Sequence, residues 1–273
     1  TSNSITLDWS TINPGTSRIR YGITKNYELG VIEPDNDLRT LHNVTVSGLN
    51  TATIYNLQAF SVANSDTSFS SNIVSSTTSA FPTTGEINVY FNKSVNTIVS
   101  SGTNANGNSD FTSLLIQKIN NAKRSIDFSL YSLSGTVGAY IATALVNAKN
   151  RGVKIRAIGE EENSTTAPWT TLINNGIPYI NDAFGINDGS GLNHNKFFII
   201  DYRNGAPDSV WVITGSWNPT DPGTNDDRQN LVFIQDVALA GCYTVEFEEE
   251  WGSNTDTPNS QNSRFGSRKL NNT

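Results

Sequence analysis

The chain has 273 residues, 36% of them apolar, and carries a net charge of −7 from 18 Lys and Arg against 25 Asp and Glu. That length accommodates two ordinary domains with a core each, and a single cysteine, Cys242, excludes an intrachain disulfide framework and reads as a small core residue. The acidic balance excludes indiscriminate grip on nucleic acid or anionic membrane, because phosphate affinity comes mainly from Lys and Arg.

There is no apolar run of 18 residues and no signal peptide, so the chain is expected to be a soluble fragment without a transmembrane segment, its natural start removed. A surface rich in Asn, Ser and Thr, with N-x-S/T triplets at Asn43, Asn92 and Asn163, points to a secreted or cell-surface protein.

Residues 1–80 alternate short β-rich runs, "SITLDWS", "SRIRYGI", "HNVTVSGL", "YNLQAFSVAN" and "SNIVSSTTS", with turns at regular spacing and no amphipathic helix. That rhythm predicts a β-sandwich. Trp9 stands on an early strand, "RYG" follows at Arg20 to Gly22, and Leu49, Thr53 and Tyr55 form an L-x-x-x-T-x-Y corner. With these residues the segment resembles a fibronectin type III domain whose first strand is short or missing; the resemblance bears on fold and not on function. "SAFPTTGE" supplies linker composition, and residues 81–86 are assigned to it.

From residue 87 to 273 the rhythm changes. "FTSLLIQKINNAK" has apolar residues at helical spacing behind a Ser109 or Asp110 cap; "SIDFSLYSL" alternates as a strand; "VGAYIATALVNAKNRG" reads as a helix ending at Gly152. Strand "VKIRAIG", helix "WTTLINNG" and strands "IPYI", "KFFII", "SVWVITG" and "NLVFI" follow, and "VALAGCYTVEFEEEWG" closes as a helix. Interleaved strands and helices predict an α/β sheet covered by helices on both faces, giving a multidomain β plus α/β chain. "GEEEN", from Gly159, reads as a solvated charged loop, and the acidic run of "EFEEEWG" as the outer face of the last helix, with Phe247 and Trp251 packing inward. The loops "NDAFGINDGSGLN" and "NPTDPGTNDD" are explained by turn chemistry and match no calcium-binding template.

The chemistry concentrates near "LNHNKFFIID". His194 and Lys196 lie two apart at a strand start, on one face, with Cα atoms about 6.5–7 Å apart. A neutral imidazole there can attack phosphorus and an ammonium beside it can hold a phosphoryl oxygen. Asp201 has an odd offset from His194 and is expected to support the site from the strand end. After the next strand, "TGSWN" offers the Gly215 turn, the Ser216 hydroxyl and the Asn218 amide. Singly, each has a plain structural reading: a surface histidine, a solvated lysine, a turn.

Together, H-x-K, four residues and Asp, then G-S-x-N, resemble the signature of the phospholipase D superfamily, over about Ile87 to Trp251 and in the form of its short bacterial endonuclease branch with one motif per chain. The resemblance implies a phospholipase D-like domain with a mixed sheet, a phosphohistidine intermediate and no cofactor or metal. Because that chemistry uses two histidines and the chain's other histidine, His42, lies in the sandwich without such neighbours, it further implies a homodimer bringing two copies of His194 together. The family's orienting carboxylate aligns with Gln229, flanked by Arg228 and Asn230, so either a glutamine carbonyl orients the imidazole, Asp226 or Asp227 takes its place, or activity is lowered.

The function expected is a metal-independent nuclease. Beyond residue 80 there are 14 basic and 19 acidic residues, net −5, so nucleic acid must be held by local groups such as Lys196, Arg203 and Arg228. Alternatives are a phospholipase or small-diester hydrolase, and an adhesion module in which the fibronectin-like domain binds an extracellular polymer or surface partner.

Overall fold

The computed structural model describes residues 1–80, 84–99, 101–102, 104–184, 192–266 and 269. Two compact units divide between Phe81 and Pro82.

In the first unit, β1 (Ser4–Gly15), β2 (Arg18–Gly22), β3 (Gly30–Ile32), β4 (Arg39–Ser47), β5 (Ile54–Ala63), β6 (Asp66–Phe69) and β7 (Ile73–Ser76) form two antiparallel sheets. β1 pairs with β4; β3, β2 and β5 run side by side, and β6 and β7 share the remaining edge of β5. Period-two alternation on β4 turns His42, Val44 and Val46 inward. They join the side of the unit where Ile5, Ile19, Leu49, Tyr55 and Leu57 are buried. The Tyr55 hydroxyl accepts the Asn50 N–H at 2.9 Å, closing the expected corner. His42 is stacked on Trp9 at 4.8 Å, and its ring nitrogens bond Ser17 Oγ at 2.9 Å and Thr11 Oγ1 at 3.0 Å. It is a satisfied core histidine.

The second unit comprises β8 (Thr84–Phe91), α1 (Phe111–Asn121), β9 (Ser125–Leu130), α2 (Gly135–Asn150), β10 (Lys154–Gly159), α3 (Ala167–Asn174), β11 (Tyr179–Asn181), β12 (Lys196–Ile200), β13 (Trp211–Gly215), α4 (Asp221–Asn225), β14 (Asn230–Asp236) and α5 (Val237–Trp251). Among the described residues the sheet order is β11-β10-β9-β12-β13-β14-β8, with β9, β10 and β11 parallel and the other pairings antiparallel. The sheet is thus mixed. Strand β8 was not anticipated. It takes Thr84–Glu86, expected in the linker, into an edge strand, while residues 81–83 lie outside the described residues.

Helices lie on both faces. On one side, Phe111, Leu115, Ile141, Leu145 and Trp169 pack with Phe128, Phe198 and Ile213 of the strands. On the other, α5 brings Ala240, Phe247 and Trp251 against Phe197, Ile199 and Val212. Phe197 and Phe198 point opposite ways because strand side chains alternate. Helix starts are set by caps: Asp110 accepts the Ser113 N–H at 3.0 Å and Asp236 that of Leu239 at 2.8 Å. At α2 the carboxylate comes from elsewhere in the chain, Asp221 accepting from Thr136 and Val137 at 3.0 and 2.8 Å.

The acidic runs depart from expectation. Glu250 and Glu249 are buried on α5, and Glu160 is buried at the end of β10. Each lies where the helix or strand turns against protein. Cys242 on α5 is half-buried rather than a core residue. The "NPTDPGTNDD" segment contains α4, whose Thr220 cap accepts the Gly223 N–H. Most of the other Gly-rich loop lies outside the described residues.

Candidate active site

β12 pairs antiparallel with β13, Phe197 opposite Thr214, so the next step sets Lys196 opposite Gly215. Lys196 is also paired with Leu130 of β9, and the Tyr131 N–H donates to Asn195 O at 2.8 Å. These pairings gather the H-N-K segment, Tyr131 and the G-S-W-N turn at one end of the central strands. Opposing Cα atoms across such pairs lie about 4.5–5.5 Å apart.

His194 and Lys196 both lean on Tyr131. The imidazole centroid is 4.7 Å from the phenol ring, and Lys196 Nζ is 5.2 Å above it while donating to His194 O at 2.9 Å. The His194 ring is exposed and makes no hydrogen bond with the described residues. Partial desolvation and then the Lys196 ammonium hold its pKa below the ordinary histidine value, and burial of its stem lowers that of Lys196. A neutral imidazole beside a cation follows. It is available as a nucleophile at neutral pH.

The G-S-W-N turn is pinned by its third residue: Trp217 is buried edge-on to Phe111 at 5.5 Å and donates to Thr224 Oγ1 at 2.9 Å. Gly215 is required by close approach, since a Cβ there would fall 2.4 Å from Asn230 O. Ser216 Oγ accepts from Asn230 N and Nδ2 at 3.1 and 3.2 Å, leaving its own O–H free to turn toward an anion. Asn218 Oδ1 is buried without a partner. Rotating that amide by half a turn would present an N–H instead.

Other expected site residues lie elsewhere. Asp201 sits five residues beyond Lys196, about 16 Å along the strand direction. It is 1% exposed with φ 56°, and its carboxylate accepts the N–H groups of Lys123, Arg124 and Ser125 at 2.7–3.1 Å. It therefore clamps the turn between α1 and β9 and has no catalytic contact. Gln229 does not orient the imidazole: its amide donates to Asp227 Oδ2 at 3.3 Å and its backbone bonds Asn92. Asn230 instead holds Ser216, and Arg228 is exposed. Arg203, expected to help hold substrate, is engaged with buried Asp127 at 2.9 Å and with Asp256. Asp127 also accepts from Nε and Nη2 of fully buried Arg156, at 2.8 and 2.7 Å.

Behind the H-N-K segment lies a polar group that no sequence pattern marked. Asn195 Nδ2 donates to Glu250 Oε1 at 2.7 Å, and Asn193 Nδ2 to Ser129 Oγ at 3.1 Å. Burial pushes the Glu250 carboxyl up to about 7 despite the opposing Lys269 ammonium. A cavity of about 250 Å³ opens beside it, lined by His194, Asn195, Glu250, Phe265 and Lys269. Among the described residues, no three His, Cys, Asp or Glu side chains converge as a metal-ligand set.

The family model described as "Cardiolipin synthase, PLD-like domain" matches residues 115–251, which contain Tyr131, His194, Lys196, the G-S-W-N turn and Glu250. The chain belongs to the phospholipase D superfamily. Among its relatives in this superfamily, the phospholipase D of Rickettsia prowazekii (strain Madrid E) is 32% identical over 148 residues, which are 54% of this chain and 64% of that protein. The mitochondrial cardiolipin hydrolase of Xenopus tropicalis is 28% identical over 145 residues, covering 52% and 61%. The chain thus spans less than two thirds of either relative. Among solved structures, the phospholipase D family member Nuc from Salmonella typhimurium is similar with 25% identity and a TM-score of 0.45, covering 61% of this chain and 93% of that one. Phospholipase D superfamily chemistry is chemistry at phosphodiester bonds, the bond for which a neutral imidazole next to an ammonium is suited.

Proposed function

We propose that this protein is a nuclease that hydrolyses nucleic-acid phosphodiester bonds through a phosphohistidine at His194. Its chief support is the pairing of an exposed, unbonded His194 imidazole with Lys196 over Tyr131, facing a turn that offers the Ser216 hydroxyl and the Asn218 amide. A ring nitrogen of His194 attacks phosphorus and one alkoxide leaves; Lys196, Ser216 and Asn218 hold the phosphoryl oxygens as charge builds. A second imidazole, protonated at the start, must give its proton to the leaving oxygen and then, neutral, take one from the water that attacks the phosphohistidine and frees His194. His42 is bonded through both nitrogens in the first unit, which favours His194 of the partner subunit in a homodimer.

An exposed polar site favours a polymeric, charged substrate over a lipid whose chains need an apolar channel. The names of the relatives, phospholipase D and mitochondrial cardiolipin hydrolase, favour the second reading, a lipid phosphodiester. In the first unit, the Tyr55 corner supports a fibronectin type III-like domain, and with it an extracellular setting.

The test is cleavage of plasmid DNA, single-stranded RNA and cardiolipin vesicles in EDTA by the wild type and His194→Ala, with the mass measured by light scattering. Nucleic-acid cutting by a dimer, lost in the variant, is the expected result. Turnover of vesicles alone would replace it with the lipid reading, and no turnover at all would favour a binding module.

A further inference from the structure

Both neighbours of His194 are fastened to one buried polar hub. Glu250, 1% exposed, accepts from Asn195 Nδ2 at 2.7 Å and Lys269 Nζ at 2.8 Å on Oε1, and from Ser129 Oγ at 3.0 Å on Oε2. Asn193, 4% exposed, donates through Nδ2 to Ser129 Oγ and to Gly159 O at 3.3 Å, and its N–H donates to Asp182 Oδ2 at 3.2 Å. Lys269 also pairs with Glu246, and Ser263 Oγ donates to Glu250 O at 2.6 Å, so the segment after α5 closes over the hub. Burying a carboxylate is costly unless it is paired and bonded, and bonds to the ionised form are about twice as strong as neutral ones.

The His194 ring has no hydrogen-bond partner among the described residues, and Gln229 is turned to Asp227. Its orientation therefore depends on the Tyr131 ring in front and on the backbone behind. We propose that Glu250 is a positioning residue for His194, acting through Asn195 and Ser129 to fix the backbone from which the imidazole projects, with Lys269 as its counter-ion. The consequence for turnover rests on the phosphodiesterase reading; the consequence for the imidazole does not.

Two measurements on the full chain separate these. The first is turnover of bis(4-nitrophenyl) phosphate by the wild type, Glu250→Gln and Asn195→Ala. The second is imidazole ¹⁵N NMR of the same proteins, in which the chain's two histidines allow His42 to serve as an internal reference. Asn195→Ala cuts the link while leaving Glu250 bonded to Lys269 and Ser129, so it reports even if Glu250→Gln fails to fold. The expected result is a kcat lower by on the order of 10²-fold with KM unchanged, and His194 resonances shifted or broadened while those of His42 stay in place. Folded variants with wild-type kcat and an unmoved His194 spectrum would overturn the proposal. A wild type that turns over no phosphodiester, with a His194 spectrum that still responds to Asn195→Ala, would overturn the proposed function and uphold the positioning.

Discussion

At His194 the environment acts on charge before it acts on geometry. Partial desolvation and the Lys196 ammonium both favour the neutral ring, so its folded pKa lies below the ordinary value and the neutral imidazole persists to lower pH. Removing the cation reverses one of these causes: Lys196→Ala should raise the His194 titration midpoint and move the acid limb of the rate to higher pH. Imidazole NMR across the acid range checks this, and a midpoint that stays or falls would show that the Lys196 charge is not felt at the ring. His42 is shifted the same way, by burial and then Arg39, yet both its nitrogens are already bonded. The lowered pKa is therefore shared by both histidines, and what sets His194 apart is a ring without a hydrogen bond among the described residues.

Elements decide what the motif's third residue does. Asp201 was legible as part of H-x-K, four residues and Asp, but its work is to receive three backbone N–H groups where β9 begins. Leaving such groups unsatisfied costs about 1–3 kcal/mol each, so Asp201→Ala should destabilise the second unit by about 3 kcal/mol or more, read as a lower urea midpoint. Turnover per folded molecule should persist. Asp201→Asn, which keeps an acceptor and tolerates the left-handed backbone at φ 56°, should lose less. A loss of turnover without a loss of stability would return Asp201 to the reaction. The acidic run on α5 teaches the same lesson: Glu250 sits among charged neighbours in the sequence, and only docking of the helix on the sheet carries it beneath Asn195.

At the scale of the molecule, each unit has its own core, Ile19, Val44 and Leu57 in one and Phe111, Phe128 and Phe198 in the other. Units with separate cores fold separately as a rule. Residues 82–273 produced alone should melt cooperatively and retain phosphodiester turnover, whereas residues 1–80 should have none. A silent second unit, folded but inactive, would mean that the first unit contributes to the reaction. The seam itself was partly legible: linker composition marked it, but Thr84–Glu86 belong to β8, which β14 pairs at Thr84 and, past a register shift, from Ile87 to Phe91.

The sequence by itself determined the two-unit plan and the interleaving of strands and helices, and it marked His194, Lys196, Ser216 and Asn218 as candidates, because periodicity, caps and short spacings act over a few residues. Only the tertiary structure decided which polar groups belong to that constellation. Glu250 is bonded to Asn195, next to His194, while Asp201, Arg203 and Gln229 are engaged by a turn, a buried ion cluster and a surface aspartate. A carboxylate in water and one buried beneath the H-N-K segment are the same letter, and the difference between them is made by packing between residues far apart in the chain.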